Sequence, residues 1–321
     1  MIHKSINLFE LNPTKCHPFY KQLCAPDRIA EVRRQHITAM CQWYFEMGLA
    51  DANFKSDFPI RTSQRWWELE TAWFLRNCGF NLSKRRTGSD FLCERENIVF
   101  EVEAFVAGPG EDANFVPEYS LTGSGRFQIS ETINISERER IEILRLTNSI
   151  DTKAKKHLCD IKKGYADQSI PFVIALSPVD MPDMIANGDM PAALKAVYPI
   201  GGQYREIDPA TGKFLQGRRW KCRHLVNKGT PTHAAISTQV FCHGCGTEQH
   251  RKVSALLYST LNIWVHGYPY SPSEHQKQFV VIHNEDCIKP LDRGSIRSGV
   301  EYWLEPIGTT NEYELAELRI E

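Results

Sequence analysis

An α/β fold, a mixed sheet flanked by helices with an N-terminal helical extension, is predicted by three features of the sequence. Two stretches of helical periodicity come first. Short runs rich in β-branched and aromatic residues then lie on either side of a long helical stretch, and two further apolar runs follow it. This order sets a helical extension at residues 1–62 and an α/β domain at 63–321, the latter with an insertion at about 201–250.

Residues 1–25 read as irregular, punctuated by Pro13 and Pro18. Pro26 and Asp27 suit the start of a helix that runs to about Leu49, with Ile29, Val32, Ile37, Met40, Cys41, Tyr44 and Phe45 as its apolar stripe. A second helix spans about Ser63 to Cys78, stopped by Gly79, and its Trp66, Trp67, Trp73 and Phe74 indicate deep packing. Strands are expected at Asp90–Glu94 and Ile98–Val106, joined by a turn at Arg95–Asn97. Residues 107–135 read as a long loop. Ser136 and Glu139 form a capping box for a long helix carrying Ile141, Leu144, Ile150, Ala154, Leu158 and Ile161, with a break near Asp151. Strands follow at Phe172–Leu176, Val253–Ser259 and Phe279–His283, with a short helix at about Ala192–Val197. The tail from Ile288 reads as mostly irregular, with a short helix at Tyr313–Ile320.

Composition removes several classes of function. With 42% hydrophobic and 24% charged residues, the chain is neither a disordered tail nor a collagen-like repeat. Lys plus Arg number 38 against 39 Asp plus Glu, so no global field attracts a polyanion and any such site is built locally. The ten cysteines are scattered, and neither a signal-peptide stretch nor a membrane-length apolar window occurs. A cytoplasmic, non-membrane protein with reduced thiols is the expectation.

The richest stretch chemically is Gly88-Ser89-Asp90-Phe91, with Glu101-Val102-Glu103 eleven residues after Asp90. On a strand Glu101 and Glu103 share a face with Val99 and Phe105, while Ile98, Phe100 and Ala104 share the other. Like charges side by side are costly unless solvent, a cation or a proton compensates. Hard oxygen ligands from Asp90, Glu101 and Glu103 suit Mg²⁺ or Mn²⁺. The alternative is a solvated strand face with no bound ion.

These residues resemble the PD-(D/E)xK restriction-endonuclease-like superfamily. Its members carry a glutamate on a helix, then a β-hairpin bearing Asp and Glu-x-Lys on the central sheet, then a helix and further strands. Residues 66–105 resemble that core, and Glu68 stands eleven positions before Gly79. Arg65-Trp66-Trp67-Glu68-Leu69, Pro171-Phe172-Val173-Ile174-Ala175 and Val253–Ser259 extend the resemblance, over roughly residues 64–285, to an uncharacterised bacterial branch. The resemblance implies a restriction-endonuclease-like sheet and a Mg-dependent nuclease, a hydrolase acting on DNA or RNA. Asp90 matches the first acid, Glu101 the second and Glu103 the usual lysine; Glu68, Asp90, Glu101 and Glu103 are thus the candidate catalytic residues. The departure at Glu103 leaves a second register open, in which Asp90 pairs with Glu103 and Glu101 stands behind. It also leaves open an inactive nuclease fold that binds nucleic acid or a protein partner.

Positive charge for phosphate is available on the long helix at Arg145 and Lys156, which share a face with Asn148, and just ahead of Asp90 at Lys84, Arg85 and Arg86. Residues 213–228 add a basic run around Trp220 that includes Arg218, Arg219 and Lys221. A solvated face is the ordinary alternative for each. Cys242-His243-Gly244-Cys245, with Cys222 or His224 about twenty residues earlier and His250 or His233 as the fourth ligand, offers a structural Zn²⁺ site. Residue spacing and the resemblance together lead to phosphodiester hydrolysis, with Mg²⁺ or Mn²⁺ held by Asp90 and Glu101 and assisted by Glu103.

Overall fold

In the computed structural model, an eight-stranded mixed sheet runs through the centre with helices on both faces. The residues described are 8–10, 15–110, 119–121, 127–129, 135–181, 190–204, 207–213, 219–222, 225–227, 235–263, 269–307 and 312–319. The helices are α1 (Pro18–Leu23), α2 (Arg28–Glu46), α3 (Phe54–Asp57), α4 (Thr62–Asn77), α5 (Ile135–Lys162), α6 (Ala192–Val197) and α7 (Pro272–Lys277). The early strands are β1 (Asn81–Lys84), β2 (Phe91–Arg95), β3 (Ile98–Val106), β4 (Tyr119–Leu121), β5 (Phe127–Ile129) and β6 (Phe172–Ser177). After them come β7 (Ile200–Tyr204), β8 (Arg219–Cys222), β9 (Leu225–Asn227), β10 (Ala235–Ser237), β11 (Ala255–Tyr258), β12 (Val280–His283), β13 (Val300–Ile307) and β14 (Glu312–Arg319).

The large sheet has the order β1-β2-β3-β6-β11-β12-β13-β14, and the remaining strands form three two-stranded ribbons. β1, β2 and β3 make an antiparallel meander, after which β3 pairs in parallel with β6, and β6 with β11. A parallel pair needs a crossover, and α5 lies within the one between β3 and β6.

The central strands are apolar on both faces because helices cover both. Val173 and Ala175 enter one core with Phe100, Val102 and Ala104 of β3 and the aromatic residues of α1, α2 and α4. Phe172, Ile174 and Leu176 enter the other, with α5 and α6. Trp67 on α4 donates its indole N–H to the Ala175 carbonyl at 2.9 Å, tying that helix to the middle of the sheet. No helix among the described residues is long and apolar enough to cross a membrane.

Several local expectations are corrected. Residues 1–25 contain α1, opened by Pro18 at its first turn with the His17 ring accepting from the Phe19 N–H. The long helix runs from Ile135 to Lys162 without a break at Asp151. In the tail, the helix expected at Tyr313–Ile320 is a strand over the described residues: β14 pairs antiparallel with β13, placing Leu315 beside Leu304. The Leu and Glu content of that segment favours helix locally, but a partner strand supplies ladder bonds that an isolated short helix lacks.

Candidate active site at the acidic hairpin

The hairpin register decides which acids meet. Phe91 faces Val102 and Leu92 faces Glu101, and Asp90 lies just ahead of this ladder, close enough for the Glu103 charge to act on it. The Asp90 N–H donates to the Val102 carbonyl at 2.9 Å, and the Ala104 N–H donates to Asp90 Oδ2 at 2.8 Å. Glu101 lies two positions before Glu103 on β3, on the same face but beside Leu92.

Each carboxylate has its own counter-charge. Glu101, 1% exposed, is 2.9 Å from the Arg85 guanidinium and accepts from the Ser89 hydroxyl at 3.1 Å. Glu103, 6% exposed, accepts from Lys153 Nζ at 2.7 Å and Lys156 Nζ at 3.0 Å. Lys156 also donates to the Gly88 carbonyl at 2.8 Å, which clamps the loop before Asp90 against α5. Gly88 has φ +91° and a Cβ there would press on the Tyr165 carbonyl, so the clamp passes through a position suited to glycine. Glu68 on α4 accepts from Gln64 at 3.1 Å and Arg65 at 2.9 Å, while the same Gln64 bonds both Ala104 and Val106 of β3. Glu70, two residues on, is fully buried elsewhere against His275 at 2.9 Å.

Asp90 differs from the others. Burial, then the negative charges of Glu103 and Glu68, push its carboxyl up to about 8, so it holds a proton at neutral pH. Burial also raises Glu68, against the opposing pull of Arg65, and raises Glu101 against Arg85. Burial lowers the Lys156 ammonium, but Glu103, with Asp160 and Asp90, offsets it and leaves the ammonium held above its usual range.

The expected Mg²⁺ or Mn²⁺ on Asp90, Glu101 and Glu103 is corrected by this geometry. Among the described residues no group of three or more His, Cys, Asp or Glu side chains is arranged to hold a metal ion. Glu101 points its charge at Arg85, and two lysine ammonium groups take the place assigned to the cation beside Glu103. The expected Zn²⁺ is corrected to the same extent: among the described residues Cys242 and Cys245 belong to no group able to hold a metal ion. Cys242 is buried and Cys245 exposed, neither in a disulfide, and the turn between them closes on a carboxylate: Asp286 accepts from the Gly244 and Gly246 N–H groups at 3.0 and 3.1 Å. Cys222 lies in β8, its side chain outside what is described.

A cleft of ≈ 300 Å³ opens beside Asp90. Tyr44, Leu49, Asp51 and Glu68 form one wall, and the loop Lys84–Asp90 forms the other. The basic side chains reach different places. Lys156 is at the hairpin, whereas the Arg145 guanidinium lies against Gly110, where a Cβ would collide with it. Their separation of eleven residues is about 16 Å of helix, so a shared face does not make a shared site. Arg218 lies outside the described residues; Arg219 and Lys221 lie in β8 with their side chains likewise outside them.

Sequence reasoning missed Lys153 and Arg65. Arg65 binds three acids, Asp51, Asp57 and Glu68, and so fixes the cleft wall. Lys153 carried one signal, its place on the long helix within three residues of Lys156. Comparison with known protein families, with curated proteins and with solved structures finds no match to this chain.

Proposed function

We propose that the chain is a nuclease of restriction-endonuclease-like architecture, hydrolysing a nucleic-acid phosphodiester at the end of the cleft where Asp90 stands. One observation carries the reading. Lys153 Nζ sits 2.7 Å from Glu103 and 4.2 Å from the centre of the Phe105 ring. With Asp90 and Glu103 taken as the two motif acids, Phe105 is the strand position two beyond the second, where the family pattern has lysine. The helix α5 supplies in space the ammonium that the strand lacks.

The chemistry needs two carboxyl groups in different protonation states, and the cleft offers them. Water attacks phosphorus, forming one P–O bond, while the bond to the departing sugar oxygen breaks. Glu68, paired with Arg65 and made more basic by burial, takes the proton of the water. Asp90, protonated at neutral pH, gives its proton to the departing oxygen. Arg85 and the lysine ammonium groups lower the cost of charge on the phosphorane oxygens.

The test is cleavage of labelled single-stranded and duplex oligonucleotides, in chelator and with added magnesium, by wild type and Asp90→Ala. Loss of an acid–base group predicts a fall of about 100-fold or more. Cleavage unchanged by the substitution overturns the reading. A binding-only role has one observation in its favour, that Glu101, Glu103 and Glu68 are each already paired with a protein cation. Oligonucleotide binding with no cleavage under any of these conditions selects it.

A further inference from the structure

The cleft is a recess, and its size and lining bear on the substrate. We infer that it takes one unpaired nucleotide of a single strand, the base between Asp51 and Thr87, the phosphate toward Asp90 and Arg85, within reach of Glu68. This rests on the phosphodiester reading above and names its substrate class.

The volume argues first. A recess of ≈ 300 Å³ corresponds to a cube of about 7 Å edge, while the major groove of a duplex alone is about 12 Å wide. A paired, stacked base therefore cannot enter, and an extruded or single-stranded one can. The carboxylates argue next: Glu68 is nearly fully buried at the cleft, so a phosphodiester lying on a convex duplex surface stays away from it.

The lining also selects. Asp51 presents acceptor oxygens, and its carboxylate has about four lone-pair sites, of which Arg65 and the Asn53 N–H use a part. Acceptors of this kind match the exocyclic amine of cytosine and lack a complement on the carbonyl edges of thymine. On the opposite wall Arg86 and Thr87 are exposed, and Arg85 is held in place by Glu101. That wall is fixed by the Lys156 bond to Gly88, so the recess is built before a ligand arrives.

Fluorescence anisotropy in chelator tests this with three labelled probes: oligo(dC), oligo(dT) and a duplex, each about 10 nucleotides or base pairs long. The expected result is oligo(dC) binding about 10-fold tighter than the duplex and about 3-fold tighter than oligo(dT), an order-of-magnitude stacking and hydrogen-bond difference. Thr87→Trp, an exposed loop substitution that fills the recess, should weaken oligo(dC) binding about 10-fold and leave the melting temperature in place. Arg86→Ala, at the same rim, should weaken both single strands alike. Equal or tighter duplex binding, no binding to any probe, or indifference to Thr87→Trp overturns the inference. Cleavage that persists with duplex preferred sinks the single-strand inference alone. A single-strand preference lost in Thr87→Trp, without cleavage by wild type, sinks hydrolysis alone.

Discussion

The acidic hairpin and the Cys242–Gly246 turn look alike in sequence, each a compact set of metal-ligand residue types, and the folded chain treats them oppositely. At the hairpin, acids face cations brought from α5 and from the loop before Asp90. At the turn, two backbone N–H groups face one carboxylate, Asp286. Both neutralise themselves internally, but only the hairpin leaves a carboxyl, Asp90, whose compensation is a proton, and it does so at the mouth of a cleft. The same residue types thus end in paired groups at the turn and in a raised carboxyl lining the cleft at the hairpin.

The largest expected effect separating the two regions is on cleavage. Lys153→Met should reduce it by about 100-fold, a typical loss for one charge-stabilising donor, with Lys153→Arg recovering part. Cys245→Ser at the turn should change it less than twofold, within the ~0.5 kcal/mol of an ordinary exposed substitution. Equal losses in both would erase the distinction. Conversely, the turn should matter to stability: Asp286→Ala strips two N–H groups of their acceptor and should cost about 2–3 kcal/mol in urea unfolding. An unchanged midpoint would mean that water replaces the carboxylate.

The proton on Asp90 links folding to pH. Its carboxyl is raised in the folded state, so between about pH 4 and about pH 8 the native state binds a proton that the unfolded state does not. Stability attributable to this group is therefore greatest below pH 4 and falls as pH rises to 8. Melting curves of Asp90→Asn should lose that fall and exceed wild type most clearly near pH 9. Parallel curves for the two proteins would show that Asp90 is ionised throughout. Cleavage by wild type should likewise decline above pH 8, as the proton donor is lost.

A smaller effect lies at the base of the same helix. His157 stacks on Phe172 with ring centres 3.7 Å apart, and burial pushes its imidazole down to about 4. The unfolded state binds a proton there as pH falls from 6.5 toward 4, so stability from this group is present above 6.5 and lost on acidification. His157→Phe should flatten that acid limb by roughly 2 kcal/mol, measured by denaturant midpoints at pH 5 and pH 7. An unaltered limb would place the acid sensitivity elsewhere.

Much of this was legible in the chain. Alternation along Ile98–Val106 assigns Glu101 and Glu103 to the face opposite Phe100 and Ala104, and the structure keeps that division, with Phe100, Val102 and Ala104 in the core under α4. The stripe of α4 and the Gly79 stop were equally plain, and Gly79 indeed adopts φ +86°. Lys153 was not legible as a partner of Glu103, because fifty residues separate them and nothing local records the helix crossing the hairpin. The tail strands were hidden for a related reason, β13 and β14 being held by each other and by β12.

The amino-acid order by itself determined which side chains share a face, where helices start and stop, and that several carboxyl groups would crowd one hairpin. Those properties depend on backbone geometry over a few residues, which repeats wherever the same local structure forms. Only the tertiary structure decided that Asp90 comes within reach of the Glu103 charge, and that lysines from α5 and an arginine from the preceding loop take the role expected of a metal. Charge compensation in a low-dielectric interior is a matter of a few ångströms, and which charges come that close is settled by packing between segments far apart in the chain.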